Sequence, residues 1–262
     1  MATANPLERI FSGDYGSEIQ PIVSVCIRED ELGSLDTDSV DNSVKVFDGS
    51  GKIMLKFGDE EGEGKMYGPI ALAICRDRIL ISQNFWILNY QMNGGFISRI
   101  GKRGEGDLEF DYLRGLTFDE SNGEVYICDS DNNRIQILSK ELTYKTQFGQ
   151  DNLKTPLDVK LRKEFIYILD ESNPCLHLYN YNLILHKSII SREDGLLRMN
   201  PWYFCIDNSN NIYFTDYYSD EIMLVDSQFY FKHTKFIASL TGITVDNKGR
   251  VIVVCTGGLH ML

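Results

Sequence analysis

The residues that first suggest chemistry lie in the stretch FGDEEGEGKMYGP, Phe57 to Pro69. A glycine-rich run ending in Lys65 has the composition of a phosphate-cradling loop, where backbone amides, a lysine and a following helix N-terminus converge on the ligand. The details oppose that chemistry. Lys65 is followed by Met66 rather than Ser or Thr, position 59 is Asp, a strand-like run comes next, and Asp59, Glu60, Glu61 and Glu63 repel a phosphate. The stretch is expected to be a connector. A second candidate, DSDNNR, carries Asp129, Asp131 and Asn133 at the alternate spacing that opens a calcium loop. That loop requires glycine at its sixth place and a bidentate carboxylate at its twelfth, and these places hold Arg134 and Lys140. Asp129 therefore reads as a strand-end residue that caps a tight turn.

Other reactive side chains are scattered. The six cysteines, at 26, 75, 128, 175, 205 and 255, contain no Cys-x-x-Cys pair, so they read as free buried thiols rather than metal ligands or redox centres. His177, His186, His233 and His260 fall on separate segments with no convergence of imidazoles. No Gly-x-Ser-x-Gly elbow and no recognisable pairing of nucleophile with base is present. The expectation is a protein that is not an enzyme and holds neither metal nor cofactor.

The elements that must position any site come from a repeat. VYICD (125–129), IYILD (166–170) and IYFTD (212–216) match almost letter for letter, and each is a β-branched and aromatic run ending in a turn former. A strand candidate precedes each one, as GLTFD, DVKLR and YFCID, and two more follow. Complete units also fit residues 22–58 and 70–101, and residues 242–262 supply three strands of another. LERIFSG (7–13) would complete that last unit and remove a free sheet edge. Four strands per 40 to 50 residues is the size of a propeller blade. The expectation is all-β: a six-bladed β-propeller of four-stranded antiparallel blades, a single domain over residues 1–262, closed by an N-terminal strand.

The unit RGLTFDESNGEVYICDSDNNRIQILSKELTYKTQFG (114–149) resembles the NHL repeat, whose pattern runs from Pro-x-Gly through φ-Tyr-φ-x-Asp and Asn-x-Arg to a closing Phe-Gly. The resemblance implies a six-bladed propeller. Only this unit keeps both Asp129 and Arg134; elsewhere the Arg position reads Ser43, Cys175 or Glu221. Some members carry RING and B-box modules that this chain lacks, so ligase activity does not carry over. The resemblance also implies a second reading, single-stranded RNA binding, for which Arg114, Arg103, Lys102 and Lys65 would form a local basic spot. A third, a divalent-metal lactonase or lyase of propeller type, would need a set of acidic and amide groups lining the channel, and Asp158 is a lone contributor.

Charge favours a protein partner. Against 26 basic side chains stand 38 acidic ones, a net charge of −12, which repels polyanions and anionic membranes. The connectors expected on the top face, between second and third strands and between blades, are more acidic still. Aromatic residues accompany them. The reading is an interaction platform for a basic protein or peptide, with Trp86, Asp129, Asp131, Arg134, Asp170, Trp202, Tyr203, Asp216, Tyr217, Tyr218 and Arg114 as contact residues. No run of about 18 apolar residues and no secretory leader pattern occurs, so the expected home is the cytoplasm, away from membranes.

Overall fold

The computed structural model describes residues 22–27, 34–38, 42–47, 53–171, 175–189, 201–216, 219–237, 240–246, 249–255 and 258–261. All regular elements among them are β-strands. The first sheet contains β1 (Ile22–Ile27), β2 (Ser34–Asp38), β3 (Ser43–Phe47) and β4 (Ile53–Phe57); the second, β5 (Ala71–Cys75), β6 (Arg78–Gln83), β7 (Trp86–Gln91) and β8 (Phe96–Ile100). The third holds β9 (Leu113–Phe118), β10 (Val125–Asp129), β11 (Arg134–Leu138) and β12 (Tyr144–Phe148), and the fourth β13 (Pro156–Arg162), β14 (Phe165–Asp170), β15 (Cys175–Asn180) and β16 (Leu185–Ile189). The fifth is β17 (Pro201–Ile206), β18 (Ile212–Asp216), β19 (Glu221–Val225) and β20 (Phe231–Phe236). The sixth has three described strands, β21 (Leu240–Val245), β22 (Val251–Cys255) and β23 (Gly258–Met261). Residues 7–13, expected to complete it, lie outside the described residues.

Each sheet is an antiparallel meander in sequence order. The first strands adjoin one another in the order β1, β5, β9, β13, β17, β21, and β21 contacts β1. The core lies between facing sheets. In β10, Val125 and Ile127 pack toward the second sheet, whereas Tyr126 and Cys128 pack toward the fourth, as the two-residue period of a strand dictates. Both faces are thus covered, and every residue of β10 and β11 is buried. Each fully buried Ile or Leu contributes about 1.5–3 kcal/mol. The fourth strands, such as β8 and β16, carry exposed positions and form the outer edge.

Two local devices set the geometry of the face where blades are connected. Asn42, Asn84, Asn133 and Asp220 stand at φ 56°, 47°, 56° and 55° in the turns before third strands. Asn and Asp tolerate the left-handed region better than other side chains, so the Asn of Asn-x-Arg is a turn residue. The second device is a bulge. The pairing of first with second strands shifts after Pro156 in β13, after Pro201 in β17, after Leu240 in β21 and beyond Leu113 in β9. A bulge re-aims the side chains beside it. Here it puts Arg114 and Trp202 in equivalent places at one level, and Gly115, Asp158, Tyr203 and Gly242 at the next.

Candidate functional site

The strand-end acids clamp the connectors. Asp129 Oδ1 accepts the Asp111 amide at 2.8 Å, and Asp170 Oδ2 accepts the Lys154 amide at 2.6 Å; in the second sheet Gln83 Oε1 accepts the Tyr67 amide at 2.8 Å. In each case the acceptor ends a second strand and the donor lies in the connector entering the same sheet. A side chain at this place is consumed in holding the loop, and Asp129, Asp170 and Asp216 are 0%, 1% and 4% exposed. The expectation that these three carry recognition by charge is therefore corrected: burial puts them out of a partner's reach, Asp129 and Asp170 hold the entering connectors, and Asp216 Oδ1 accepts the Ser219 amide of its own turn at 3.2 Å.

Arg134 is corrected in the same way. Only 1% of it is exposed, and its guanidinium is used in full. Nε donates to Asp129 Oδ2 at 2.7 Å, Nη1 to Glu105 O and Gln147 Oε1 at 2.6 Å each, and Nη2 to Gly106 O at 3.0 Å and Glu109 O at 2.9 Å. Asn132 Nδ2 adds bonds to both oxygens of Asp129 at 3.1 and 3.0 Å. Where other sheets lack the arginine, the place facing the strand-end residue is taken by Trp86, Cys175 and Glu221. Cys175 Sγ lies 2.9 Å from His177 Nε2, and His177 Nδ1 lies 2.9 Å from Ser188 Oγ. Burial pushes the Cys175 thiol up to about 12, with Asp170 adding to the rise, and lowers the His177 imidazole against the pull of Asp170. This is a neutral, buried hydrogen-bonded pair rather than an activated nucleophile.

The exposed rim consists of other residues. Asp59, Glu60, Glu61 and Glu63 in the connector to β5, Glu105 and Asp107 in the connector to β9, and Asp131 in the β10–β11 turn are all exposed. Of the anticipated acidic set, Asp131 alone joins them. The rim cations sit against carboxylates: Lys65 pairs with Glu61, Lys102 Nζ lies 2.8 Å from Glu109, and Arg103 lies 3.3 Å from Asp111. Trp86 is half-buried beneath Arg99, whose Cζ is 4.3 Å from the ring centre. Trp202 is half-buried as well, with Arg114 Cζ at 5.3 Å. Tyr217 and Tyr218 lie outside the described residues.

Below the rim, the first strands surround a cavity of about 200 Å³. Its lining combines apolar residues, Ala71, Ala73, Leu116, Phe118 and Ile243, with the polar side chains of Asp158, Lys160 and Tyr203. Tyr203 is thus a channel residue rather than a rim residue, and burial raises its hydroxyl pKa despite the opposing effect of Arg114. Asp158 is 2% exposed. Its Oδ1 accepts from Val159 N at 2.9 Å and Lys160 Nζ at 2.8 Å, while Oδ2 has no hydrogen-bond partner. Sequence reasoning found Asp158 but missed Lys160, although two residues apart on one strand already places them on one face. Among the described residues no group of three or more His, Cys, Asp or Glu side chains could hold a metal ion.

Burial raises the Asp158 carboxyl pKa, and Lys160 and the backbone amides only partly reverse it. The folded state accordingly holds this proton more tightly than the unfolded chain does. That preference stabilises the fold fully below the unfolded value of about 4, and it is lost as pH rises through the elevated folded value. Asp158→Asn is expected to be at least as stable as the parent chain at about pH 7, its advantage shrinking toward about pH 4. Paired urea titrations at the two pH values read this directly. A variant less stable at neutral pH would mean that the Lys160 pairing outweighs burial.

A family model, NHL repeat, matches residues 110–138, the span that contains both Asp129 and Arg134. The chain carries an NHL repeat. Its solved structural neighbours are propellers and their relatives. A streptogramin B lyase matches with TM-score 0.68 and 14% identity over 92% of each chain. A chain of a nidogen/laminin complex matches with TM-score 0.70 and 19% identity over 85% of this chain and 84% of that one. Hydrazine synthase from Kuenenia stuttgartiensis matches with TM-score 0.71 and 9% identity over 97% and 98%. At these identities the likeness is one of fold. No curated protein matches the sequence. No helix among the described residues is long and apolar enough to cross a membrane.

Proposed function

We propose that this NHL-type chain is a six-bladed propeller, its last blade completed by the N-terminal strand, that serves as a non-enzymatic platform for a basic protein or peptide. The observation that carries the reading is the exposed acidic rim, Asp59, Glu60, Glu61, Glu63, Glu105, Asp107 and Asp131, on the face where the half-buried Trp86 starts β7 and Trp202 stands at the bulge of β17. Carboxylates in solvent steer a cationic partner and set its register, whereas rings at the edge supply burial. The buried, hydrogen-bonded acids beneath them hold the loops still, so less ordering is required on association. The nidogen/laminin neighbour is a propeller relative in a complex with another protein, which accords with this use of the fold.

The test is charge reversal at exposed positions. Glu60→Lys/Glu61→Lys/Glu63→Lys is expected to weaken binding of a fluorescein-labelled Lys/Arg nonapeptide about 10- to 100-fold at low salt, with a smaller effect near 0.2 M salt as screening sets in. A single-stranded RNA oligomer serves as the opposite-charge control and is expected to remain unbound by the parent chain at physiological salt. Anisotropy titrations report both. Peptide affinity unmoved by the triple reversal defeats the proposal, and so does tight RNA binding.

A further inference from the structure

Among the cations that surround the channel mouth, Arg114 is distinct in its partners. It stands at the bulge of β9, the place equivalent to Trp202 in β17, so the two side chains meet at the top of the inner strands. Its Cζ lies 4.7 Å from the Tyr112 ring centre and 5.3 Å from that of Trp202. Rings over a guanidinium occupy its faces and leave its N–H edge for an in-plane acceptor. Among the described residues none uses that edge: Nε has no hydrogen-bond partner, the half-buried Arg114 makes no side-chain hydrogen bond, and no described carboxylate pairs with it, in contrast to Lys65, Lys102, Arg103 and Arg134. The backbone beneath is fixed, because Ser82 Oγ donates to Arg114 O at 2.7 Å and Leu113 N to Asn84 O at 2.6 Å.

We propose that Arg114, walled by Tyr112 and Trp202, is a carboxylate receptor at the channel mouth, and that it takes a carboxylate carried by the basic partner of the acidic rim. The inference rests on the platform reading above. A fork of N–H donors matches a planar carboxylate in a bidentate pair. The rim selects among anions. A phosphate of charge near −2 meets Asp59 to Glu63, Glu105 and Asp107 with about twice the repulsion of a carboxylate, whereas a single carboxylate on a polycation arrives with its repulsion already compensated. Two sources share this chemistry, a C-terminal carboxylate and an Asp or Glu side chain.

The experiment uses the full chain with both tryptophans, read by the anisotropy of fluorescein-labelled peptides, and a parallel chain carrying Trp86→Phe, which leaves Trp202 as its one tryptophan, serves only as a local fluorescence reporter. Three lysine-rich heptapeptides are titrated: a free C-terminal acid, the same sequence as the amide, and an amide with one internal Glu. The free acid, the Glu peptide or both are expected to bind about tenfold or more tightly than the plain amide, with a change in Trp202 emission. Which of the two gains assigns the source. In Arg114→Gln, and in Arg114→Lys, which keeps the charge but loses the fork, the gap is expected to fall below about twofold. The gap in the chain with native Arg114 stands without either variant, and circular dichroism checks their folding. Equal binding of all three peptides overturns the receptor and leaves the acidic platform standing. A gap that persists in folded Arg114→Gln also overturns it. Binding by none of the three removes the platform reading, and the receptor with it. Tight binding of single-stranded RNA that is lost in Arg114→Gln replaces the carboxylate by phosphate.

Discussion

Replacing Arg134 with methionine is expected to lower the free energy of unfolding by about 3–5 kcal/mol, the cost of breaking a buried ion pair by removing one partner. The side chain is 1% exposed and its partner Asp129 0%, so neither water nor counterions compensate when the guanidinium goes. Asp129 keeps the Asp111 amide and Asn132 but loses its opposite charge, and Glu105 O, Gly106 O and Glu109 O lose a donor together. These carbonyls all belong to the connector entering β9, so the loss is cooperative: one cation organises a whole loop. Urea denaturation with matched m-values measures the effect. The double variant Arg134→Met/Asp129→Leu is expected to recover part of the deficit, because an apolar pair leaves no stranded charge. A deficit below about 1 kcal/mol in the single variant would show the network to be dispensable.

A destabilisation of about 2–3 kcal/mol is expected from Gly115→Ala, through overpacking rather than lost contacts. A Cβ at Gly115 would lie 2.5 Å from Asp158 Oδ1, 2.8 Å from Asp158 Cα and 2.9 Å from Leu157 O. The first of these atoms can rotate away, but the other two are backbone of β13, the neighbouring inner strand. Relief requires the inner strands to separate, which loosens packing between the third and fourth sheets. Removing the side chain discriminates the causes: Gly115→Ala/Asp158→Ala is expected to remain destabilised in thermal melts, because Cα and the Leu157 carbonyl stay in place. Full rescue by the second substitution would locate the conflict in the carboxylate alone. Gly242 stands at the same register in the sixth sheet, whereas Asp158 and Tyr203 fill it in the fourth and fifth, and these two project into the cavity.

The amino-acid sequence alone determined the strands and their order, since a two-residue alternation of apolar side chains and a turn former at its end are local properties. VYICD became β10 and IYFTD became β18 at the positions read from them. The repeat period likewise determined that four strands form each unit, as the complete described sheets do. The fate of the strand-end acids was decided by tertiary structure. A carboxylate after a strand reads the same whether it faces solvent or an amide, and the deciding partners lie 18 residues from Asp129 and 16 from Asp170. Charge counting placed these groups on the surface because formal charge carries no information on direction. The bulge was equally hidden: one extra residue in an inner strand leaves composition and hydropathy unchanged, yet it turns Arg114 toward Trp202 and Asp158 into the channel. Pattern along the chain sets what each strand is, whereas contact between strands distant in sequence sets which of its polar groups a partner can reach.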